Sequence, residues 1–338
     1  MYQLVNSAGY KYPDQETYVL DILPVATGFV ATASDQTLSL FDPLRLSQGP
    51  IKKITTDHGN LTAAKVYSAG DSVVCTTGEN GTISVWDLRL DSSNARAMQM
   101  GGNLPSLLSL ACSNEANKVA AGTEFANHQS SIMIWDLRSP SSPQIQYNEG
   151  HSDDITELSH NPTTPSLLLS GSTDGLVNIT DTLIADEDDA VQATFNHGSV
   201  HRAGFLNATE VFAASHDEMF ALYDAAEHAC TGAATLDLGD VRPLLACQYL
   251  AAVVPKQGGA VLGLVCVLTG GENISREMFQ LIHLAKGPGG WGLDTDTAVG
   301  LPGAHGSELV RSFCFYDEQQ VVFTAGEDGC VKAWTPGS

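Results

Sequence analysis

The stretch GAHGSELVRSFCFYDEQQVVFTAGEDGCVKAW, residues 303–334, decides the fold. It holds three short apolar runs, LVRSFCF, VVFTAG and CVKAW, separated by polar turns rich in Gly, Asp and Gln. Alternation at period two over such short runs, cut by turn formers, specifies β-strands and leaves almost nothing for helices. The same cassette recurs as GHSDDITELSHNPTTPSLLLSGSTDGLVNITD, residues 150–181.

Outward from these two copies, the third run repeats through the chain as QTLSLFD, GTISVWD, SSIMIWD, GLVNITD, EMFALYD and GCVKAWT, with a weaker seventh copy in EMFQLI. Its final apolar position falls at Phe41, Trp86, Trp135, Thr180, Tyr223, Ile282 and Trp334, so successive spacings are 45, 49, 45, 43, 59 and 52 residues. A period of this length marks a radial or linear repeat, each unit needing its neighbours to cover its apolar faces. Third strands are therefore expected near 36–42, 81–87, 130–136, 175–181, 218–224, 277–283 and 329–335, within one domain spanning 1–338. The longest interval predicts a loop insertion between Val241 and Arg276. Trp291, in GPGGWGLD, is expected either to anchor a loop or to sit on a surface hairpin that meets a partner.

Bulk properties narrow the class. The 338 residues are 43% hydrophobic with 32 Gly and 14 Pro, which suits a turn-rich globular protein. Sixteen Lys and Arg against 39 Asp and Glu give 16 − 39 = −23, a field that repels nucleic acid and anionic membranes and favours a basic partner. The start MYQLVNSAGYKYP is no secretory leader, and the run Ala260 to Leu268 is too short to span a bilayer, so a soluble protein of nucleus or cytoplasm is expected. Seven scattered cysteines without CxxC spacing, among them Cys75, Cys266 and Cys330 in strands, read as buried thiols and not as a metal site or disulfides.

These features resemble the WD-repeat family, and the resemblance covers essentially the whole chain. It implies an all-β, seven-bladed propeller of four-stranded blades, with the N-terminal strand, Tyr2 to Asn6, completing the last blade so that no sheet edge is left open there. It also implies a structural hydrogen-bonded set within a blade. That set falls on His305, Thr324, Asp328 and Trp334 in the last blade, and on His151, Ser170 and Asp174 in the fourth, where Thr180 replaces Trp.

No phosphate-binding Gly-rich loop, GxSxG turn or HExxH helix occurs, so neither an enzyme nor a bound cofactor or metal is expected. The family points instead to a protein-binding scaffold, read as a monomer. Between Glu149 and Asp240 there are 17 Asp or Glu and one basic residue, Arg202. Blades four and five thus form an acidic sector suited to a basic polypeptide such as a ribosomal protein or histone segment. Its candidate binding residues are Asp153 and Asp154 at one rim and Asp186, Glu187, Asp188 and Asp189 at the other. A polar residue also recurs after the first apolar residue of the innermost strand, read as Thr156, His201, Arg242 and Arg311. In the resembled fold such positions lie near the central channel, where Arg242 and Arg311 are suited either to grip a partner carboxylate or to neutralise Asp240 and Glu308. Finally, Trp86-Asp87-Leu88-Arg89 and Trp135-Asp136-Leu137-Arg138 look like the WDxR motif of cullin-type ubiquitin-ligase adaptors, which makes Arg89 and Arg138 the candidates of a competing reading.

Overall fold

A computed structural model describes residues 1–226, 232–270 and 274–337. The described elements are almost all β-strands, arranged as five four-stranded sheets and one eight-stranded sheet. They fall into two compact units, residues 57–240 and residues 1–56 with 241–338.

The first unit holds blades 2 to 5. Each begins with an inner strand a (Leu61–Ser68, Leu107–Ser113, Ile155–His160 and Val200–Phe205) and pairs antiparallel through strands b, c and d. The other unit holds blade 1 (strand a Val19–Val25), blade 6 (strand a Cys247–Lys256) and blade 7 (strand a Val310–Tyr316). Strand c of the seven blades runs over Thr37–Phe41, Thr82–Asp87, Ile132–Asp136, Leu176–Asp181, Met219–Asp224, Ile274–Gly287 and Cys330–Pro336.

One irregularity repeats in every blade and fixes the register. Strand a carries a bulge directly after its first residue, at Leu20, Thr62, Leu108, Thr156, His201, Gln248 and Arg311. The preceding residue is buried each time: Val19, Leu61, Leu107, Ile155, Val200, Cys247 and Val310. A bulge adds twist and releases one backbone carbonyl from the ladder. A hydroxyl of the preceding blade takes up several of these carbonyls. Ser109 bonds Ile155 O at 2.7 Å, Thr156 bonds Val200 O at 2.8 Å, and Thr62 bonds Leu107 O. Tyr249 does the same between blades 6 and 7, its phenol accepting from Val310 N–H at 2.7 Å. These contacts stitch consecutive blades while apolar clusters fill the space between them, such as Cys75, Ile83, Leu107, Leu110 and Trp135.

Blade 7 takes its fourth strand from the start of the chain. Tyr2–Lys11 pairs antiparallel with Cys330–Pro336 from Leu4 to Lys11, and Tyr2 and Gln3 also pair, in parallel, with Val299 and Gly300 of blade 6. Blades 6 and 7 are thereby joined into the eight-stranded sheet.

Two expectations for the long fifth-to-sixth interval need correction. The extra length of 241–276 is not a loop among the described residues. It is taken up by a helical turn, Val241–Leu245, and by strands of 10, 12, 14 and 13 residues in blade 6. Trp291 is not a buried anchor: it stands half-buried on the hairpin between Ile274–Gly287 and Gly290–Pro302, with the Lys286 ammonium 5.9 Å from its ring centroid.

Candidate protein-binding site

The three polar networks belong to the architecture. In blade 7, His305 bonds Asp328 through Nδ1 at 2.6 Å and Thr324 through Nε2 at 2.8 Å, and Trp334 Nε1 donates to the same hydroxyl at 2.9 Å. In blade 4, His151 bonds Asp174 at 3.1 Å and Ser170 at 2.8 Å, and the chain of bonds stops there because Thr180 stands at the Trp position. Blade 2 holds a third set that the sequence reading missed. His58 bonds Thr76 at 2.8 Å and Asn80 at 3.3 Å, and Trp86 Nε1 donates to Thr76 at 2.7 Å. The signal was present in DHGN and TGENG, but Asn80 occupies the place searched for Asp.

In all three blades the Asp or Asn oxygen also accepts the N–H two residues on, at Thr82, Leu176 and Cys330. This bends the chain at a left-handed glycine, Gly81, Gly175 or Gly329. Burial opposes ionisation of Asp174 and Asp328, yet hydrogen bonds from His151 and from His305 hold both carboxyls below the usual range. Burial alone pushes the His58 imidazole down.

The acidic candidates divide into committed and exposed groups. Glu187 is not an open rim residue. Its carboxylate accepts three consecutive backbone N–H groups, Asn148, Glu149 and Gly150, each at 2.7 Å, and so clamps the connection from blade 3 to blade 4. Three successive amides aimed at one anion form a nest. Asp186 caps the four-residue helix Glu187–Ala190 by accepting from Asp188 N–H at 3.2 Å. Asp154 accepts Phe125 N–H at 2.7 Å and is half-buried. Asp153, Asp188 and Asp189 stand exposed.

The strand-a positions also separate. Thr156 and His201 occupy bulges, Thr156 holding the Val200 carbonyl and His201 lying against His216 with ring centroids 5.1 Å apart. Arg311 occupies the blade 7 bulge, and its guanidinium is bonded to Glu327, not Glu308. Arg242 is misplaced by the sequence reading: it lies on the helical turn Val241–Leu245, and Gln248 holds the bulge. One residue beyond the bulge lies a cluster the sequence did not disclose. Glu157, 7% exposed, sits 2.9 Å from Arg202 and 3.8 Å from Lys65, so inner strands of blades 2, 4 and 5 share one carboxylate.

Arg89 and Arg138 repeat one geometry. Each guanidinium grips the aspartate two residues before it through Nε and Nη2, Arg89 on Asp87 at 2.9 and 2.8 Å and Arg138 on Asp136 at 2.9 and 2.6 Å. Arg89 also reaches Asp71 at 3.0 Å. Both heads remain exposed at the ends of adjacent c strands.

A family model described as "WD domain, G-beta repeat" matches residues 49–87, 142–181 and 299–335. An uncharacterized WD repeat-containing protein of Saccharomyces cerevisiae is 29% identical, covering 98% of this chain and 82% of its own length. A second from Schizosaccharomyces pombe is 29% identical over 95% of this chain and 96% of its own. The WD repeat-containing protein 89 homolog of Dictyostelium discoideum is 22% identical over 62% of this chain and 55% of its own. Among solved structures, a chain in the crystal structure of a mitotic checkpoint complex superposes with a TM-score of 0.70 at 15% identity, covering 99% of this chain and 93% of that one. Repeat matches, relatives and fold agree with the bulge, network and strand pattern above: the chain is a seven-bladed WD-repeat β-propeller protein.

Proposed function

We propose that this WD-repeat propeller is a protein-interaction scaffold that draws a basic polypeptide to blades four and five. The carrying observation is the charge of 149–240, 17 acids against the single cation Arg202, which is itself held by Glu157. Hydrogen bonds to backbone N–H groups do not discharge these carboxylates, so Glu187, Asp154 and Asp186 hold turns together and still contribute to the field. A field of one sign raises the local concentration of a cationic partner and speeds its approach. Asp153, Asp188 and Asp189, exposed at the ends of this sector, are the side chains a partner meets directly.

The test replaces Asp153, Asp188 and Asp189 with Asn and measures binding of a fluorescent Lys- and Arg-rich peptide across a salt series. Affinity at low salt is expected to fall roughly tenfold, with a flatter salt dependence, because exposed attraction is screened over about 8 Å at physiological ionic strength. An unchanged Kd at every salt concentration overturns the reading. The competing adaptor reading has its own arm. Arg89→Ala with Arg138→Ala abolishes recovery of ligase subunits if the motif docks them, and leaves peptide binding intact in either case.

A further inference from the structure

Blade 6 is longer than its neighbours need, and its excess lies beside a cleft. Between blades 6 and 7 a cavity of about 450 Å³ is walled by Val261, Leu281, Val299, Phe315 and Val322, with Tyr2 and Leu4 of the N-terminal strand closing one end. The wall is mostly apolar, and the polar groups at its mouth are few: His283, Asp317 and Gln320. None of these side chains belongs to the acidic sector or to a blade network.

Two further features meet at the mouth. The first is a strand edge. Gly290–Pro302 pairs with blade 6 strand c on one side, but on the other it meets only Tyr2 and Gln3, at Val299 and Gly300. Among the described residues no strand covers 292–298 on that side. The line followed by Tyr2 and Gln3 therefore has room to continue along this edge. A bare edge with its row of amides and carbonyls is a template for an added strand. The second is charge. Asp294 and Asp296 are exposed on that edge, and Asp317 and Glu318 stand across the cleft, where Lys256 pairs with Asp317 at 2.6 Å.

We propose that this cleft receives an extended peptide of a partner protein, which adds as a strand along 292–298, inserts one large apolar side chain between Leu281 and Phe315, and sets a Lys or Arg against Asp294 and Asp296. The bare edge selects an extended backbone, the apolar wall selects the anchor, and the carboxylates select a neighbouring cation. A cavity of this size also suits a small molecule. The cleft is open beside a strand edge and offers few convergent polar groups, which favours the peptide.

The experiment pans a display library of nine-residue peptides on the full chain carrying Asp153→Asn, Asp188→Asn and Asp189→Asn, so that the acidic sector does not collect basic sequences. Selected peptides are expected to share an apolar residue flanked by Lys or Arg and to slow amide exchange over 292–298. They should bind at least tenfold more weakly to a Val321→Trp variant, whose indole fills the cleft. Should that variant unfold, Tyr2→Ala and His283→Ala, both at exposed positions, are expected to weaken binding at least fivefold. Asp294→Asn with Asp296→Asn should lower affinity severalfold and flatten its salt dependence. Peptides that bind these variants as tightly as the parent overturn the proposal, as does a selection that yields none. Cleft-dependent fluorescence of anilinonaphthalene sulfonate without any selected peptide assigns the cavity to small apolar ligands and overturns it too. Because the library is panned on the neutralised variant, this outcome is independent of whether blades four and five bind a basic chain.

Discussion

Blade 4 is built from four strands of six residues, with His151, Ser170 and Asp174 bonded through it, whereas blade 6 uses strands of 10 to 14 residues. The register shows what replaced the network. Thr76, Ser170 and Thr324 occupy one equivalent position in strand b, opposite Ala64, Leu158 and Phe313 of strand a. The residue there in blade 6 is Leu264, fully buried against Leu250, and in blades 1, 3 and 5 it is Ala31, Ala121 and Ala213. A hydroxyl buried at this position needs the His and Trp that bond it, while Leu or Ala needs only packing. The three blades with the hydroxyl are the three that the repeat model matches. The recognisable signature therefore tracks one way of satisfying a blade interior, and the blade architecture persists without it.

The strongest way to break the contrast is at the seam where blades 6 and 7 share a strand. Deleting residues 1–8 removes most of the ladder to Cys330–Pro336, the parallel bridge to Val299 and Gly300, and buried Leu4. Thermal melting should drop by more than about 10 °C, since each kcal/mol moves Tm by about 2–4 °C in a chain of this order. An unchanged melt sinks the idea that this strand joins the two blades.

Next comes the network itself. Thr76→Val leaves the His58 ring and the Trp86 indole without their shared partner, at about 2–4 kcal/mol in denaturant titration. Ser170→Ala in blade 4 strands only His151 and should cost about half as much. Equal losses would show that the Trp link adds nothing.

Much of this was legible beforehand. Phe41, Trp86, Trp135, Thr180, Tyr223, Ile282 and Trp334, aligned by spacing alone, pair with Phe29, Val74, Val119, Leu168, Val211, Leu262 and Val322, each two residues before the equivalent strand-b position. Period-two patterning survives any change in what fills the interior, so even Ile282 could be placed. The site was less legible, for two physical reasons. A bulge shifts register by one residue and an extra helical turn shifts it further, which put Arg242 where Gln248 lies and hid Glu157 and Arg202 behind Thr156 and His201. And a run of carboxylates in sequence does not say which of them a fold has already spent on its own amides.

A pH series sharpens the contrast at a second histidine of blade 4. His160 bonds the Pro165 carbonyl through Nδ1 at 3.0 Å, while its buried Nε2 has no partner, and burial pushes its pKa down to about 4. The unfolded chain binds this proton from about pH 6.5 downward and the folded chain only near 4, so stability is full above 6.5 and is lost as pH falls. The loss attributable to this group approaches about 3 kcal/mol at pH 4. His160→Asn keeps a donor for Pro165 and removes the titration. Its stability curve should run flatter than that of the parent between pH 4 and 6.5, and parallel curves would show that the proton goes elsewhere.

The smallest effect separates neighbours within one acidic run. Glu187→Gln retains a single acceptor oxygen where the carboxylate offered two to three amides, and charge-assisted bonds of this kind are worth about 1.5–3 kcal/mol in place of about 1. A loss of about 1–2 kcal/mol is expected, with faster amide exchange at Asn148, Glu149 and Gly150. Asp188→Asn and Asp189→Asn, one and two residues on and exposed, should change stability by less than about 0.5 kcal/mol. The same three substitutions read in the peptide-binding assay should rank the other way, the exposed pair mattering more than the clamped glutamate. A Glu187 variant that loses binding without losing stability would return that residue to the interaction surface. A variant that loses stability with binding unchanged would leave Asp188 and Asp189 as the part of the run open to a partner.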